Sequence, residues 1–334
     1  MKKTVISLVA LVLALPMEAR TRRAWTHAVS ADPVVLTAEP IPDGVNAALR
    51  VMSQLRAAAQ QKKSQSIRYN GSGRAVLIPA AGSVRGGNGT FFRSDITFVN
   101  WNDGPQTVMI MWMPNGASAP EVFKTSIPGD RPPFTIQDFV GATLGRTGLG
   151  ALFFVPITAT NVPDIDDAAV DVFSRIWTLQ PNATGTVSQP FPGVDPDNLT
   201  GEYEAFILGL RQDASYRTNV GIVNLNSYPL DFVITVFPEA AAAGTKLQEI
   251  AVTVPPLSMI QRGLDPTKLY DTPVNIAVNV DEDVADDGQS WAAYASSTDN
   301  TTGDGWVSIA ARDYGDDELD FIGLSHKQTK RDDK

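Results

Sequence analysis

Apolar and polar residues alternate along most of the chain after residue 74, which is the pattern of half-buried β-strands. In one predicted strand Ile96 and Phe98 share a face with Asn100. The next strand has a predicted core face of Val108, Ile110 and Trp112, with Thr107 and Met109 on its reverse. Further strand-like runs lie at 122–127, 150–156, 170–179, 249–254, 274–280 and 291–297. This density of short strands predicts antiparallel sheets.

The block that begins at Arg93 occurs a second time at Arg217, with a constant offset between the copies. Asn100 of the first copy then matches Asn224 of the second. The second copy has the equivalent apolar face, formed by Phe232, Ile234 and Val236. Each copy closes on a predicted hairpin, with turns at 182–185 and 300–303. A constant offset that keeps turn formers and apolar residues in step indicates a duplicated structural unit.

The N-terminal part of the chain has a different pattern. A basic start and an apolar stretch predict a signal peptide over residues 1–19. Residues 20–42 have no period and are predicted to be a linker. Apolar residues spaced three and four apart then predict an amphipathic helix over residues 43–66, with Asp43 as its N-cap. Its apolar stripe comprises Val45, Ala48, Leu49, Met52 and Leu55. We expect this stripe to dock on the neighbouring domain, with a partner helix as the alternative.

Together these patterns predict an all-β fold: two tandem immunoglobulin-like antiparallel β-sandwiches preceded by one amphipathic α-helix. The first sandwich is predicted over residues 70–197 and the second over residues 198–315. Residues 316–334 form a charged C-terminal tail. In the region between 134 and 140, and again between 259 and 264, a single turn of helix at a sandwich edge is an alternative to a strand.

Composition narrows the function classes. A formal charge of −10 argues against binding to nucleic acid, whose phosphates require clustered Lys and Arg. The chain has no cysteine, which excludes disulfides, thiolate nucleophiles and Cys-ligated metals. Its two histidines, His27 and His326, lie near the ends and outside both repeats, so a Ser-His-Asp triad or a multi-His zinc site is disfavoured.

Acidic clusters are the remaining candidates for a metal-binding or catalytic site. They comprise Asp164, Asp166 and Asp167, then Asp195 and Asp197, then the acidic residues between 281 and 287, and finally Asp299 and Asp304. Calcium binds through six to eight oxygen ligands, so a calcium site in one of these loops is an open alternative to solvated loops. No other cofactor is expected. A calcium-assisted or carboxylate hydrolase would require such acids to converge in a cleft.

Two pairs of repeated positions and two tryptophans are the candidate site residues. Arg93 and Arg217 could clamp an anion, but their presence in both copies favours a structural pairing inside each domain. Asn100 and Asn224 are predicted to bond turn backbone at strand ends. Trp101 and Trp306 lie beside turns and are candidates for ligand contact. By contrast, Trp112 and Trp177 are predicted to be core residues.

Four segments of the sequence resemble a known family. They are 92–95, 216–221, 252–256 and, most specifically, 293–304. The chain between about residues 75 and 312 is similar through them to a largely uncharacterised family of exported bacterial tandem β-sandwich proteins. The resemblance implies the fold and export, and it implies no activity.

The expected function is therefore that of a non-enzymatic exported structural, adhesion or protein-interaction protein, which is either secreted or located in the periplasm or at the cell surface. Loops and edges of the two sandwiches would contact a protein or a glycan, without a stable membrane span once the signal is removed. A carbohydrate-binding protein is the alternative, and an exposed row of aromatic residues on one sheet face would distinguish it. A calcium-assisted or carboxylate hydrolase is the third hypothesis.

The first testable prediction concerns export. Because the charged and apolar parts of the signal are in order, the mature protein should lack about its first 19 residues. N-terminal sequencing of protein from the extracytoplasmic fraction measures this. Cytosolic protein that still begins Met1-Lys2-Lys3 would contradict the export prediction.

Overall fold

The structure is a computed structural model, and most of it consists of antiparallel strands. It describes residues 34–63, 75–129, 132–164, 170–180, 184–194, 204–239, 245–280 and 290–312. The first strands are β1 (Glu39–Pro40), β2 (Val76–Arg85), β3 (Phe91–Asn100), β4 (Gln106–Pro114), β5 (Glu121–Ile127), β6 (Phe134–Ile136), β7 (Gly148–Pro156), β8 (Val170–Leu179) and β9 (Thr186–Phe191). The others are β10 (Ala205–Leu210), β11 (Tyr216–Asn224), β12 (Leu230–Pro238), β13 (Gln248–Val254), β14 (Ser258–Gly263), β15 (Val274–Val280), β16 (Trp291–Asp299), β17 (Gly305–Ile309) and β18 (Ala311–Arg312). Helix α1 spans Gly44–Lys63. The prediction of an all-β fold is confirmed.

Strand order shows that the two copies have the same topology. In the first unit (β2–β9), β5-β4-β7-β2 forms one layer and β6-β3-β8-β9 the other. The second unit (β10–β18) has the equivalent layers β13-β12-β15-β10-β18 and β14-β11-β16-β17. The predicted hairpins are confirmed, because β8 pairs with β9 and β16 with β17. The duplication inferred from the constant offset therefore extends over whole units.

The two units differ in the pairing of their first strands, β2 and β10. The end of β2 pairs with β3 from Ser83 to Arg85, which joins both layers of the first unit into one nine-stranded sheet within the described ranges. Strand β10 is shorter and pairs with β15 and β18.

The units also differ in the two regions, 134–140 and 259–264, for which a turn of helix was an alternative to a strand. The first forms β6 followed by a π-helical turn at Phe139–Thr143, whereas the second is the strand β14.

Aromatic residues fill the core between the layers. In the first unit Phe98 of β3 contacts Phe154 of β7 edge-on, with ring centroids 5.5 Å apart. In the second unit Phe232 of β12 meets Trp291 of β16 in the same way, at 5.1 Å. The predicted core faces are buried in both copies. These contacts make each unit a two-layer β-sandwich.

The reverse face of β4 is buried as well as its core face. Met109, Met111 and Met113 are all inaccessible. The cause is helix α1, which packs against β5. The contact is so close that a Cβ added to Gly44, the first residue of the helix, would lie 2.8 Å from Val122 of β5. Val122 pairs with Met111 and therefore shares its face. The helix thus covers the reverse side of the first layer, as the docking prediction required.

The buried stripe of α1 is shifted from the predicted one. Ala47, Ala48, Val51 and Met52 are buried, whereas Val45 is largely exposed. Asp43 has a positive φ of 52°, and its carboxylate accepts a hydrogen bond from the Asn46 side chain. The described part of the predicted linker, residues 34–42, packs on the first unit. Leu36 is buried and β1 pairs with β5, because the segment that precedes α1 closes the exposed edge of β5.

The apolar core of the first unit continues into the second. Val223, Leu225, Leu257, Met259, Ala292 and Tyr294 belong to the same buried cluster as the core of the first unit. Asn115 forms a bridge with Met259, and its side chain accepts a hydrogen bond from the backbone N–H of Gln261. The two sandwiches are therefore packed against each other directly.

Several predicted segments lie outside the described residues, namely the signal peptide, most of the linker and the tail at 316–334. Among the described residues no helix is both long and apolar enough to span a membrane.

The second prediction tests the assignment of strand faces. Truncating Phe98 to Ala should lower the free energy of unfolding by about 3–5 kcal/mol, because the ring fills a closed aromatic cluster with Phe134, Phe139 and Phe154. Thr97→Ala, on the opposite face of the same strand, should cost less than about 1 kcal/mol. Urea unfolding of both variants measures the difference, and equal costs would reverse the faces.

Candidate functional site

The outward side of the layer β6-β3-β8-β9 in the first unit presents aromatic, hydroxyl and charged side chains together. Strand register sets them opposite one another: Arg93 faces Trp177, Asp95 faces Arg175 and Thr97 faces Phe173. We define the open face by nine residues, namely Arg93, Asp95, Thr97, Trp101, Thr135, Asp171, Phe173, Arg175 and Trp177.

Asp95 anchors the middle of the open face. Its side chain is only 5% exposed, and its Oδ2 accepts a hydrogen bond from Arg175 Nη2 at 2.9 Å. Its Oδ1 accepts from Trp177 Nε1 at 2.9 Å and from the backbone N–H of Asp138 at 3.2 Å. A buried carboxylate that is held by three donors is fully compensated, so it fixes the surrounding side chains in place.

Arg93 lies at the edge of this network. Its Nε is 3.8 Å from Asp138 Oδ2, and its guanidinium lies 4.6 Å from the centre of the Phe91 ring and 5.5 Å from that of Trp177. These contacts place Arg93 inside its own unit, paired with an acidic residue. The structural interpretation of Arg93 agrees with this geometry.

Trp101 and Phe173 are the most exposed aromatic residues of the open face, with 56% and 51% of their surfaces accessible. Trp101 Nε1 donates a hydrogen bond of 2.7 Å to Asp171 Oδ2, which fixes the orientation of the indole ring. Asp171 and Phe173 lie two residues apart on β8, so they project on the same side about 7 Å apart. Trp101 is thus tied to the outward side of β8, on which Phe173 is the next residue along the strand.

The equivalent face of the second unit is covered. We call it the covered face, and its central residues are Gly221 and Val223 of β11, Ala292 and Tyr294 of β16, and Met259 of β14. By register, Tyr294 pairs with Gly221 as Phe173 pairs with Thr97. Tyr294 is therefore the counterpart of Phe173, yet it is 1% exposed and meets Phe191 of the first unit edge-on at 5.4 Å.

Gly221 makes room for the Tyr294 ring. A Cβ at position 221 would lie 2.1 Å from Cε1 of Tyr294. The phenol donates a hydrogen bond to Gln261 Oε1 at 2.7 Å, and burial raises the pKa of Tyr294 far above its usual value. The first unit has Thr97 at the equivalent position, and its hydroxyl lies 2.8 Å from that of Thr135. One face is thus shaped for an apolar neighbour and the other is lined with hydroxyl groups.

The two asparagines act on turn backbone. Asn100 Nδ2 donates to the carbonyls of Gly104 and Ile127, and its Oδ1 accepts from the N–H of Asn102. Asn224 repeats the arrangement in the second unit, with the carbonyls of Tyr228 and Val254 as acceptors and the N–H of Asn226 as donor. Both connect the loop that follows their own strand to the end of a strand in the other layer, β5 in the first unit and β13 in the second, so the predicted role agrees with the contacts.

The remaining two candidates lie in the second unit, away from the open face. Arg217 Nη1 donates to Asn300 Oδ1 at 2.9 Å. Trp306 is only partly exposed, because its ring lies 5.6 Å from that of Tyr216 and its Nε1 donates to the carbonyl of Gly209. Trp306 therefore joins β17 to β10, which leaves Trp101 as the tryptophan suited to ligand contact.

The acidic clusters lie mostly outside the described residues. Asp299 is described, and its Oδ1 accepts the N–H groups of Thr301 and Thr302, which lower its pKa. Among the residues that the structure describes, no three His, Cys, Asp or Glu side chains are grouped to hold a metal ion. The calcium site stays a prediction.

Two features of the open face were missed in the sequence. Trp177 is not a core residue, because it lies on the outward side of β8 and donates to Asp95. Phe173 looked like part of an apolar run. The signal was the alternation along β8, where Val170, Val172 and Ser174 are buried while Asp171, Phe173 and Arg175 point outward.

Comparisons with known proteins add little. No protein family profile matches the chain, and no curated protein matches it. One solved structure, described as "Crystal Structure of Thermotoga maritima 1070", is similar to 34% of this chain over 96% of its own length, with 14% sequence identity and a TM-score of 0.27. A TM-score this low supports neither a family nor a function.

The third prediction tests the covered face. Gly221→Ala should lower the free energy of unfolding by about 1–3 kcal/mol, because its methyl group displaces the Tyr294 ring from the contact between the units. Gly104→Ala is the matched control, since a Cβ there meets nothing within 4 Å, and its effect should stay within about 0.5 kcal/mol. Thermal or urea unfolding compares the two. Equal stability would show that the ring moves aside without cost.

Proposed function

We propose that this chain is a non-enzymatic exported binding protein, with a structural or adhesive role at the cell surface, and that the open face is its binding surface. The observation that carries the proposal is that two equivalent residues of the duplicated units differ in solvent exposure. Tyr294 is buried under the first unit, whereas its counterpart Phe173 is half exposed. A sheet face that is used for contact in one unit is thus presented to solvent in the other.

The composition of the open face supports this role. Trp, Phe and Arg are enriched in the centres of binding interfaces, while Lys, Glu and Asp are depleted. The open face has two tryptophans, one phenylalanine and two arginines and no Lys or Glu, and its two aspartates are both hydrogen-bonded to side chains of the same face. Its polar groups are held rigid by Asp95, so little side-chain entropy is lost when a partner binds.

The non-enzymatic part of the proposal rests on the sequence. Acid–base catalysis requires a group with a tuned pKa beside a second group and shielded from water. The chain has no cysteine and its histidines lie near its ends. The buried carboxylate of the open face, Asp95, is paired with Arg175, and the neighbouring Asp138 lies near Arg93, as in structural ion pairs.

The fourth prediction tests the open face as the binding surface. The double variant Trp101→Ala with Phe173→Ala should reduce binding of the mature protein to envelope material from the producing cells by at least about tenfold, since both exposed rings are removed. Leu269→Ala truncates a similarly exposed apolar residue in the second unit and should bind as the wild type does. Co-sedimentation measures binding, and unchanged melting temperatures confirm folding.

Equal binding by all three proteins would contradict the assignment of the site. The non-enzymatic hypothesis would be contradicted if the protein hydrolysed envelope material and one Asp→Asn change abolished that activity while the fold and the melting temperature stayed the same.

A further inference from the structure

We infer that the ligand of the open face is a neutral polysaccharide, whose sugar rings stack on Trp101 and Phe173; this inference rests on the proposed binding function. Three properties of the face carry it: its charge, its exposed rings with their polar surroundings, and its contrast with the covered face.

Charge is balanced on the open face although the chain as a whole is strongly acidic. Arg175 is paired with Asp95 at 2.9 Å, and Arg93 lies near Asp138. The Asp171 carboxylate is engaged by Trp101. A polyanion would find no unpaired cationic group among these arginines, and a net formal charge of −10 repels it at longer range. The face is suited to an uncharged ligand.

The exposed rings are fixed and have hydrogen-bonding groups around them. Trp101 is held by Asp171, and Phe173 is opposite Thr97 in the strand register. The hydroxyl pair of Thr97 and Thr135 lies on the same surface. A pyranose ring has an apolar face of C–H groups and a rim of hydroxyls. Such a ligand can stack on the aromatic rings while it exchanges hydrogen bonds with the threonines and with the Asp171 carboxylate.

The covered face shows what this sheet looks like when it binds protein. There the aromatic residue lies against Gly221 and belongs to the same apolar cluster as Val223, Ala292 and Met259, and its hydroxyl donates to Gln261. The open face has Thr97 in place of Gly221 and Asp171 in place of Ala292. The first unit thus keeps an aromatic residue at the same position and has polar side chains at two neighbouring positions that are apolar in the second unit. This pattern favours a polyhydroxylated ligand over another protein surface.

Chemical treatment of the envelope material separates the two classes of ligand. Periodate cleaves the vicinal diols of glycans, whereas proteinase digestion removes protein ligands. We expect periodate to abolish binding of the mature wild-type protein and proteinase to leave it intact. In affinity electrophoresis, at least one of the neutral cellulose derivatives, xylan or starch, all of which carry vicinal diols, should retard the wild type and Leu269→Ala. Trp101→Ala and Phe173→Ala should each weaken that retardation by about tenfold or more, and polygalacturonate should retard none of the proteins.

The outcomes distinguish this inference from the proposed function. Binding that depends on Trp101 and Phe173 but is lost after proteinase and survives periodate would overturn the glycan inference and leave the binding function in place. Retardation by polygalacturonate that the same two variants abolish would also overturn it, because the ligand would then be charged. Binding that is indifferent to both variants would overturn the inference and the proposed function together.

Discussion

The Tyr294 ring, seated on the bare backbone of Gly221 beneath the first unit, is the contact on which the organisation of the molecule depends. It allows the outward side of one sheet to join the apolar core of the neighbouring sandwich. Two duplicated units thereby become one body with a shared interior, and only one of two equivalent faces is left for other partners. The difference between the units follows from packing more than from chain topology, which they share.

Polar residues make the exposed copy stable as a surface. The buried Asp95 carboxylate holds Arg175 and Trp177, and Asp171 holds Trp101, so large side chains stay ordered without a covering layer. In the second unit the aromatic side chain is instead buried under the first unit and hydrogen-bonded to Gln261. A duplicated sheet can therefore specialise by a few substitutions on one side, while Asn100 and Asn224 continue to bind their turns in the same way.

Much of the fold could be predicted because local chemistry determines it. Period-two alternation gave the strands, the constant offset gave the duplication, and the asparagines at strand ends gave the bound turns. The rest depends on contacts between residues distant in sequence. The burial of Met109 and Met111 requires helix α1 on the reverse face, and no local pattern in β4 reports that. Phe173 and Tyr294 similarly share a register position, and only the docking of the two units decides which is buried.

Helix α1 has a consequence for the order in which the chain is completed. Arg56 Nη2 donates to the carbonyl of Leu225 and to Asn226 Oδ1, a contact that joins residues 170 positions apart. Burial lowers the pKa of this arginine, since its charge has left water for that contact. A segment made early therefore obtains its last partners only after the loop beyond β11 exists. In a chain that is synthesised from its N-terminus, helix α1 can pack on the first sandwich early, whereas its contact with the second sandwich requires that residues 225 and 226 have been made.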